Sequence, residues 1–166
     1  MAKEVAVMGA GASPCYSCGE LAPGAELDQD QAIWREGGWR LAHAFNSSLP
    51  GWLVLLPDRH LESLAQLSSS EARVLGQLLW RASRALQEVT GCAKTYVALF
   101  AEAEGFHHLH FHLVPRASDL AEDRRGPAIF ESLHRPEAEW VEVEERRRLA
   151  LRLRRALAAS SIPEEG

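Results

Sequence analysis

The sequence of 166 residues lacks the features that mark several broad classes of protein. It has no apolar run near the roughly 20 residues that a transmembrane helix needs, so no membrane partner is expected. Its first residues lack the charged start and long apolar core of a secretory signal, which predicts a cytoplasmic location. Its net charge of −5 and the absence of a basic stripe argue against a nucleic-acid partner.

Cysteine is also scarce, and an odd count of three does not make a complete disulfide framework. In a reducing compartment, Cys15 and Cys18 are more typical of a metal pair or a redox pair. A thioredoxin-type pair opens a long helix, which Gly19 and Pro23 disfavour, so the metal pair is the better interpretation. Cys92 has no nearby partner in sequence and is predicted to be a small buried residue.

Histidine, in contrast, is concentrated, with four of the seven histidines inside residues 105–116. His108, His110 and His112 alternate with apolar residues, and alternate residues of an extended strand point to one face. Because unpaired polar rings are costly to bury, that face should meet a cleft, a metal or a substrate. Imidazole serves as metal ligand, general base or nucleophile near neutral pH, and the pattern alone does not choose between these roles.

The rest of the pattern predicts an α+β fold. Ser68 and Glu71 form a capping box before an apolar stripe of helical period, and Gly91 is a natural stop for that helix. The predicted order of elements is a hairpin over residues 32–45, a buried strand over 51–57, a helix over 68–90, a strand over 95–101, the histidine strand, and a final helix whose first turn contains Pro136.

The predicted organisation has three parts: a flexible N-terminus over residues 1–14, a main domain over 15–116, and a C-terminal extension over 117–166 whose helix packs on or near that domain. Six arginines on the final helix are interpreted as a solvated face, with Glu144 and Glu145 as acidic partners.

Residues 108–114 fit the H-φ-H-φ-H-φ-φ signature, in which φ is apolar, and the chain thereby resembles the histidine-triad (HIT) family. The resemblance extends over residues 15–116. It implies a five-stranded antiparallel sheet with one long helix, commonly paired into a homodimer with a continuous sheet. The following Pro115 and Arg116 also resemble members that hydrolyse dinucleoside polyphosphates.

The activity that the resemblance implies is nucleotide hydrolysis or nucleotidyl transfer at the α-phosphate, with a small nucleotide as substrate. His110 would be the nucleophile that forms a nucleotidyl-histidine intermediate. His112 would contact the phosphate and stabilise the charge that develops there. Asn46, Gly105 and Arg116 are the further candidates for substrate binding.

The resemblance to a CxxC subgroup, and to galactose-1-phosphate uridylyltransferases, implies a zinc site. Its ligands would be Cys15, Cys18, His60 and His108. Two thiolates and two imidazoles suit tetrahedral zinc, and four protein ligands close the coordination shell, so the zinc would be structural. It would pin the N-terminal segment against the histidine strand.

The sequence departs from the family pattern at three places. The nucleotide-pocket Asp or Asn that usually lies a few residues before the inner strand has no clean match, and Asn46 is the nearest candidate. The usual Pro-Gly-His that opens the inner strand is replaced by residues 50–52, which end in Trp52. The usual Gly-Gln-Ser or Gly-Gln-Thr before the triad is replaced by residues 103–106. Glu102 and Glu104 lie near this stretch and would repel a phosphate, so we expect them to point to solvent.

Two other functions fit the same residues. One is a nucleotide-binding module on a histidine-triad scaffold, which the altered stretch before the triad motivates. The other is an unrelated metalloenzyme in which His108, His110 and His112 bind one metal together.

Overall fold

The fold is described for residues 15–21 and 26–160 of a computed structural model. The N-terminus over residues 1–14, predicted to be flexible, lies outside this described part. Within the described residues, no helix is both long and apolar enough to cross a membrane.

A five-stranded sheet forms the centre of the molecule, and all of its neighbouring strands are antiparallel. The spatial order is β1-β2-β3-β5-β4. The predicted α+β architecture is therefore confirmed. The strands are β1 Trp34–Glu36, β2 Trp39–His43, β3 Leu53–Pro57, β4 Lys94–Leu99 and β5 Phe111–Arg116; the helices are α1 Tyr16–Glu20, α2 Ser69–Thr90 and α3 Val143–Ala159.

Helix α2 begins and ends as the sequence predicts. Ser68 and Glu71 form the reciprocal capping box, in which each side chain accepts the backbone N–H of the other residue. Gly91 ends the helix with a φ of 69°, a left-handed conformation that glycine adopts without steric cost. The apolar stripe of α2, which includes Leu78 and Leu86, is buried.

The two faces of the sheet carry separate apolar clusters. On one face, α2 and α3 pack against strand residues such as Leu55 and Leu113. On the other face, Trp52 and Val114 pack against Ile129. Ile129 belongs to the 3₁₀ helix Gly126–Leu133, which lies over this face of the sheet. This second face also holds the cavity described below.

The final helix begins later than predicted, at Val143 rather than near Pro136. Residues 137–139 form a single 3₁₀ turn, after which Trp140 is extended. The Val141 N–H then donates to the Ser47 carbonyl at 2.9 Å, and the Val141 side chain is buried. This tertiary contact holds the backbone out of the helical conformation, which local sequence does not reveal.

The regular part of the histidine strand is also shorter than predicted, because β5 begins only at Phe111. Continuing the β3–β5 register from Leu55↔Phe111 would place Leu109 opposite Pro57. Proline has no N–H to donate to a ladder. The Leu109 N–H donates instead to the Leu61 carbonyl at 2.6 Å, so the chain leaves the sheet before β5.

The arginines of α3 are only partly a solvated face. Arg147 and Arg148 pair with Glu144 and Glu145 as predicted. Three other arginines donate to backbone carbonyls outside α3. Arg146 donates to Phe45, Arg152 to Val89, and Arg154 to Ile33 and Ala32. These bonds fasten α3 to the ends of other elements.

Candidate active site and metal centre

The four residues predicted to bind a metal lie together. One ligand atom from each of Cys15, Cys18, His60 and His108 falls within 4.8 Å of all the others. The His60 Nδ1 lies 3.3 Å from the Cys18 Sγ. The His108 Nδ1 lies 3.7 Å from the Cys15 Sγ and 3.6 Å from the Cys18 Sγ.

The second nitrogen of each histidine in this cluster faces a hydrogen-bond acceptor. His108 Nε2 is 2.8 Å from the Pro57 carbonyl, and His60 Nε2 is 3.3 Å from the Glu62 carboxylate. Both contacts place the ring proton on Nε2 and leave the Nδ1 lone pair directed at the thiols. Partners of this kind orient metal-binding imidazoles.

The CxxC segment is shaped by the short helix α1. Cys15 caps the helix, and its Sγ accepts the Cys18 N–H at 3.4 Å. Burial and the adjacent Cys15 raise the pKa of the Cys18 thiol to about 11. A thiolate at this position therefore needs a cation beside it.

Helix α1 is also tied to the rest of the domain. The Tyr16 N–H donates to the Gly105 carbonyl at 3.0 Å, next to the histidine segment. Glu20 pairs with Arg40 of β2 at 2.8 Å, and Arg40 is almost fully buried. The Cys/His cluster, α1 and the segment before the triad are therefore one connected unit.

A cavity of about 360 Å³ opens on the face of the sheet away from α2. One side is aromatic, with Tyr16 of α1 stacked on Phe45 at 5.0 Å and tilted against Phe106 at 5.2 Å between ring centroids. His110 and His112 also line this cavity. The volume lies within the range of about 300 to 1,000 Å³ typical of small-molecule sites.

His110 has a defined tautomer. Its Nδ1 lies 2.7 Å from the His108 carbonyl, and a carbonyl only accepts, so the neutral ring carries its proton on Nδ1. The lone pair is then on Nε2, for which the described part of the chain gives no hydrogen-bond partner. The ring presents a basic nitrogen to the cavity.

His112 has the opposite tautomer. The indole N–H of Trp52 donates to its Nδ1 at 3.1 Å, so the lone pair is on Nδ1 and the proton is on Nε2. The ring is buried against Trp52 and Phe130, and its centroid is 4.8 Å from that of His110. Burial, followed by the proximity of His110, lowers the pKa of His112 to about 3.

The known proteins that this chain resembles were found by comparing structures. No family model matches the sequence, and a search of curated proteins found no match. A histidine-triad nucleotide-binding protein from Sulfolobus tokodaii superposes with a TM-score of 0.64 at 17% identity, over 87% of this chain and 93% of that one. The chain has the histidine-triad fold.

Two further structures share the histidine-triad fold. A Zn-bound histidine-triad family protein from Mycobacterium smegmatis gives a TM-score of 0.61 at 19% identity, over 87% of this chain and 94% of that one. A uridylyltransferase gives a TM-score of 0.62 at 18% identity, over 90% of this chain and 46% of that one, so this chain spans about half its length. The predicted resemblance is confirmed for the fold.

Simple alternation predicts that the three triad rings lie on one face. The structure instead separates them. His108 is fully buried in the metal cluster, whereas His110 and His112 line the cavity. His110 and His112 are not part of that metal cluster, so the hypothesis of one metal shared by all three histidines has no support in the described residues.

The predicted substrate-binding residues are divided. Asn46 lines the cavity with His112. Gly105 lies beside α1, where its carbonyl accepts the Tyr16 N–H, and does not line the cavity. Arg116 is at the far end of β5, roughly 20 Å of strand from His110, and also lies outside the lining.

The two glutamates before the triad also differ. Both are exposed, as expected, but Glu102 lines the cavity whereas Glu104 does not. The arginine among the lining residues, Arg40, is already paired with Glu20. The cavity wall of the described residues therefore offers a polyphosphate chain little positive charge.

Several residues of the site were not predicted as functional. In the sequence, Trp52 was noted only as a departure from the family pattern. It contacts His112, which lies 60 residues later in the chain. Phe130 comes from the C-terminal extension, for which the pattern offered no signal. His43 sits in an apolar strand and resembles any buried histidine.

His43 is a further neutral histidine in the lining of the cavity. Its Nε2 accepts the Gly51 N–H at 2.9 Å, and its Nδ1 donates to the Ala44 carbonyl at 2.8 Å. Burial lowers its pKa to about 4; the Ala44 bond and Asp30 raise this value, and Arg146 lowers it. The contact helps to fix Gly51, whose φ of 82° favours glycine.

We expect acid to destabilise the protein through His43 and His112. Both folded-state pKa values lie below the ordinary value of 6.5, so their stabilising contribution is complete above about pH 6.5 and is lost as the pH falls toward 4 and 3. Protonation would put a second N–H against the N–H donors of Gly51 and Trp52. By pH 4 the loss should be on the order of 3 kcal/mol for each histidine.

Urea denaturation between pH 7 and pH 4 measures this loss. The exposed His107 supplies the control, since His107→Gln should leave the slope of stability against pH unchanged. A midpoint that does not move between pH 6.5 and 4.5 would contradict the assignment of both buried histidines as neutral.

Proposed function

We propose that the protein is a nucleotide hydrolase or nucleotidyltransferase that acts at the α-phosphate. The observation that carries this proposal is the pair of opposite tautomers at the cavity. His110 presents a lone pair on Nε2, and His112 presents an N–H from Nε2. A nucleophile beside a hydrogen-bond donor is the arrangement that attack on a phosphoryl group requires.

The proposed first step is displacement at phosphorus. The His110 Nε2 lone pair forms a bond to the α-phosphorus while the bond from phosphorus to the leaving group breaks. The electron pair of that bond departs with the leaving group, which takes a proton from solvent. His110 keeps its Nδ1 proton, and the His108 carbonyl stabilises the positive charge of the substituted ring.

Water completes the reaction in the second step. Its oxygen bonds to phosphorus, the nitrogen–phosphorus bond breaks, and the electron pair returns to His110 Nε2. The surplus proton of the water goes to solvent, so the net change is addition of water across the bond to the leaving group. Another acceptor in place of water gives transfer. Throughout, the His112 N–H stabilises the phosphoryl oxygen.

The substrate contacts that we propose follow the cavity lining. Tyr16, Phe45 and Phe106 offer an apolar, aromatic wall for a nucleobase. Asn46 supplies a polar side chain within the same lining, and His112 contacts the phosphate. The substrate class is therefore a nucleoside with a phosphoryl group that extends to His110.

We propose that the Cys15, Cys18, His60 and His108 cluster binds a structural zinc ion. Bonds of about 2.3 Å to sulfur and 2.0 Å to nitrogen in a tetrahedron separate the two atoms by about 3.5 Å. The sulfur–nitrogen distances of 3.3, 3.6 and 3.7 Å agree with that geometry. When bound, zinc would keep both sulfurs as thiolates, and a reducing cytoplasm would keep them available.

The test of the function is a substrate panel offered to the wild-type protein and to Glu102→Gln. Wild type should hydrolyse nucleoside phosphoramidates, whose leaving group carries little negative charge, faster than dinucleoside polyphosphates. Glu102→Gln should raise kcat/KM for the polyphosphates about three- to tenfold, because it removes a negative charge from the cavity wall. Higher salt should reduce the difference.

Glu104→Gln is the matched control, since the side chain is exposed two residues away and does not line the cavity. It should leave both substrate classes unchanged. Absence of turnover with every substrate in a well-folded protein would remove the hydrolase proposal.

A binding module without turnover is the second candidate, favoured by the weak positive charge of the cavity. It predicts mononucleotide binding in the micromolar range, measured by calorimetry, with no product formed. If no common mononucleotide binds, this candidate is excluded.

We also propose a homodimer that extends the sheet through β4. Strand β4 is an edge of the described sheet, and Val97 on it is 47% exposed. Edge strands present backbone donors and acceptors that a second strand can pair with. Light scattering should give twice the monomer mass, and Val97→Lys should reduce it toward the monomer; a wild-type monomer would contradict the proposal.

A further inference from the structure

Trp52 contacts His112 directly, through a hydrogen bond and through ring packing. Its side chain is fully buried, and its indole ring meets the His112 ring edge-on at 5.7 Å between centroids. The 3.1 Å bond from the Trp52 Nε1 to the His112 Nδ1 is the hydrogen bond that the structure gives the imidazole. The pair joins the residue before β3 to the second residue of β5.

An indole differs from other partners in that it only donates. A histidine, glutamine or hydroxyl at this position can turn round and accept, so it permits either state of the neighbouring imidazole. Trp52 permits one, in which Nδ1 carries the lone pair and Nε2 carries the proton. A doubly protonated ring would set its Nδ1–H against the Trp52 N–H within a buried contact.

The surroundings of His112 prevent the ring from turning away. Phe130 packs on it edge-on at 5.1 Å and on Trp52 at 5.0 Å. On the other side, His110 is 4.8 Å away and is the titratable group that faces the ring. Phe130 and Trp52 are uncharged, so no counter-charge from those elements favours the protonated ring.

We infer that Trp52 is a positioning residue that locks His112 as an Nε2–H donor toward the cavity. The inference rests on the proposed function, because a fixed tautomer affects catalysis only if the His112 Nε2–H donates a hydrogen bond to a phosphoryl oxygen. The opposite tautomer would present a lone pair to that oxygen and repel it.

The lock can be observed without any substrate. Nitrogen-15 NMR of the histidine rings, with His112→Asn to assign the signal, distinguishes a protonated nitrogen from an unprotonated one. In the wild type at pH 7, Nδ1 of His112 should be unprotonated and Nε2 protonated. A protonated Nδ1 would overturn the inference, whatever the activity of the protein.

Trp52→Phe tests the consequence, because it keeps an aromatic ring and removes the N–H. We expect the two neutral tautomers of His112 to coexist, and kcat on the substrate that wild type turns over to fall about tenfold with KM little changed. An unchanged tautomer and an unchanged kcat would overturn the inference.

Trp39→Phe is the matched control. Trp39 is equally buried, and its Nε1 donates to the Glu71 carbonyl at 3.2 Å on the other face of the sheet. This variant loses similar volume and one hydrogen bond, so its stability should fall comparably while kcat and the His112 signal stay unchanged. Equal losses of kcat in both tryptophan variants would reduce Trp52 to a packing role and overturn the inference.

Discussion

His110→Ala should lower kcat at least about a thousandfold on any substrate that the wild type hydrolyses, a loss of roughly 4 kcal/mol in transition-state stabilisation. The variant lacks the Nε2 lone pair that we propose attacks phosphorus, and the adjacent imidazole of His112 cannot replace it. His112 is two residues away, but its lone pair is already engaged by the Trp52 N–H. Steady-state kinetics with wild type and variant measure the effect.

The fold should survive this substitution. His110 is half-buried, and its hydrogen bond to the His108 carbonyl contributes about 1 kcal/mol. Nucleotide affinity should change little, because the aromatic wall of the cavity is intact. Mass spectrometry of protein quenched rapidly at alkaline pH, where a histidine nitrogen–phosphorus bond survives, should also show a nucleotidyl adduct in wild type and none in the variant.

His107→Ala is the control for loss of an imidazole from the same segment. Its side chain is exposed and does not line the cavity. It should retain wild-type kcat. If His110→Ala retained more than about a tenth of the activity, the covalent route through His110 would be wrong.

Cys15→Ser should abolish metal binding and lower the free energy of unfolding by about 3 kcal/mol at metal concentrations 100 to 1,000 times the dissociation constant. The Cys15 Sγ is both a member of the cluster and the N-cap acceptor of α1. Its loss leaves three ligands and loosens α1. Metal analysis and urea denaturation with and without chelator measure the two effects.

The same variant should bind nucleotide about tenfold more weakly, a change of roughly 1.4 kcal/mol. Helix α1 supplies Tyr16, Ser17 and Glu20 to the cavity lining, so the metal centre supports one wall of the site. The sheet carries its own apolar clusters and should remain folded. Calorimetry should therefore show a weaker site in a protein with a native circular dichroism spectrum.

Two controls separate the metal centre from general damage. Cys92→Ser changes a buried cysteine that is outside the cluster and should keep the metal. His110→Ala should also keep it, because its ring contacts the cavity and the His108 carbonyl. Metal loss in His110→Ala together with retention in Cys15→Ser would contradict the division of the triad between metal and substrate.

The features that the sequence predicted well are those encoded by neighbours in the chain. The capping box at Ser68 and the glycine stop at Gly91 are local hydrogen-bond and backbone requirements, and both are present. The strands of the sheet were predicted from short apolar runs bounded by turn residues, which are also local features of the chain. The four metal ligands were predicted by resemblance and lie together.

The features that sequence missed depend on contacts between distant residues. The start of α3 was placed too early because the Val141 backbone is held by Ser47, 94 residues away. The three triad histidines were placed on one face because alternation assumes a regular strand. The β3–β5 pairing ends at Leu55 and Phe111, and His108 lies in the cluster with Cys15, Cys18 and His60 instead.

The sequence by itself therefore predicted which side chains are candidates for the chemistry: two thiols and two imidazoles for a metal, and two further imidazoles for a substrate. Only the tertiary structure decided the protonation of those imidazoles. A tautomer is set by the group opposite each ring nitrogen, and those groups are the Pro57 and His108 carbonyls and the Trp52 indole. Folding brings two of these three groups from more than 50 residues away, so no local pattern records them.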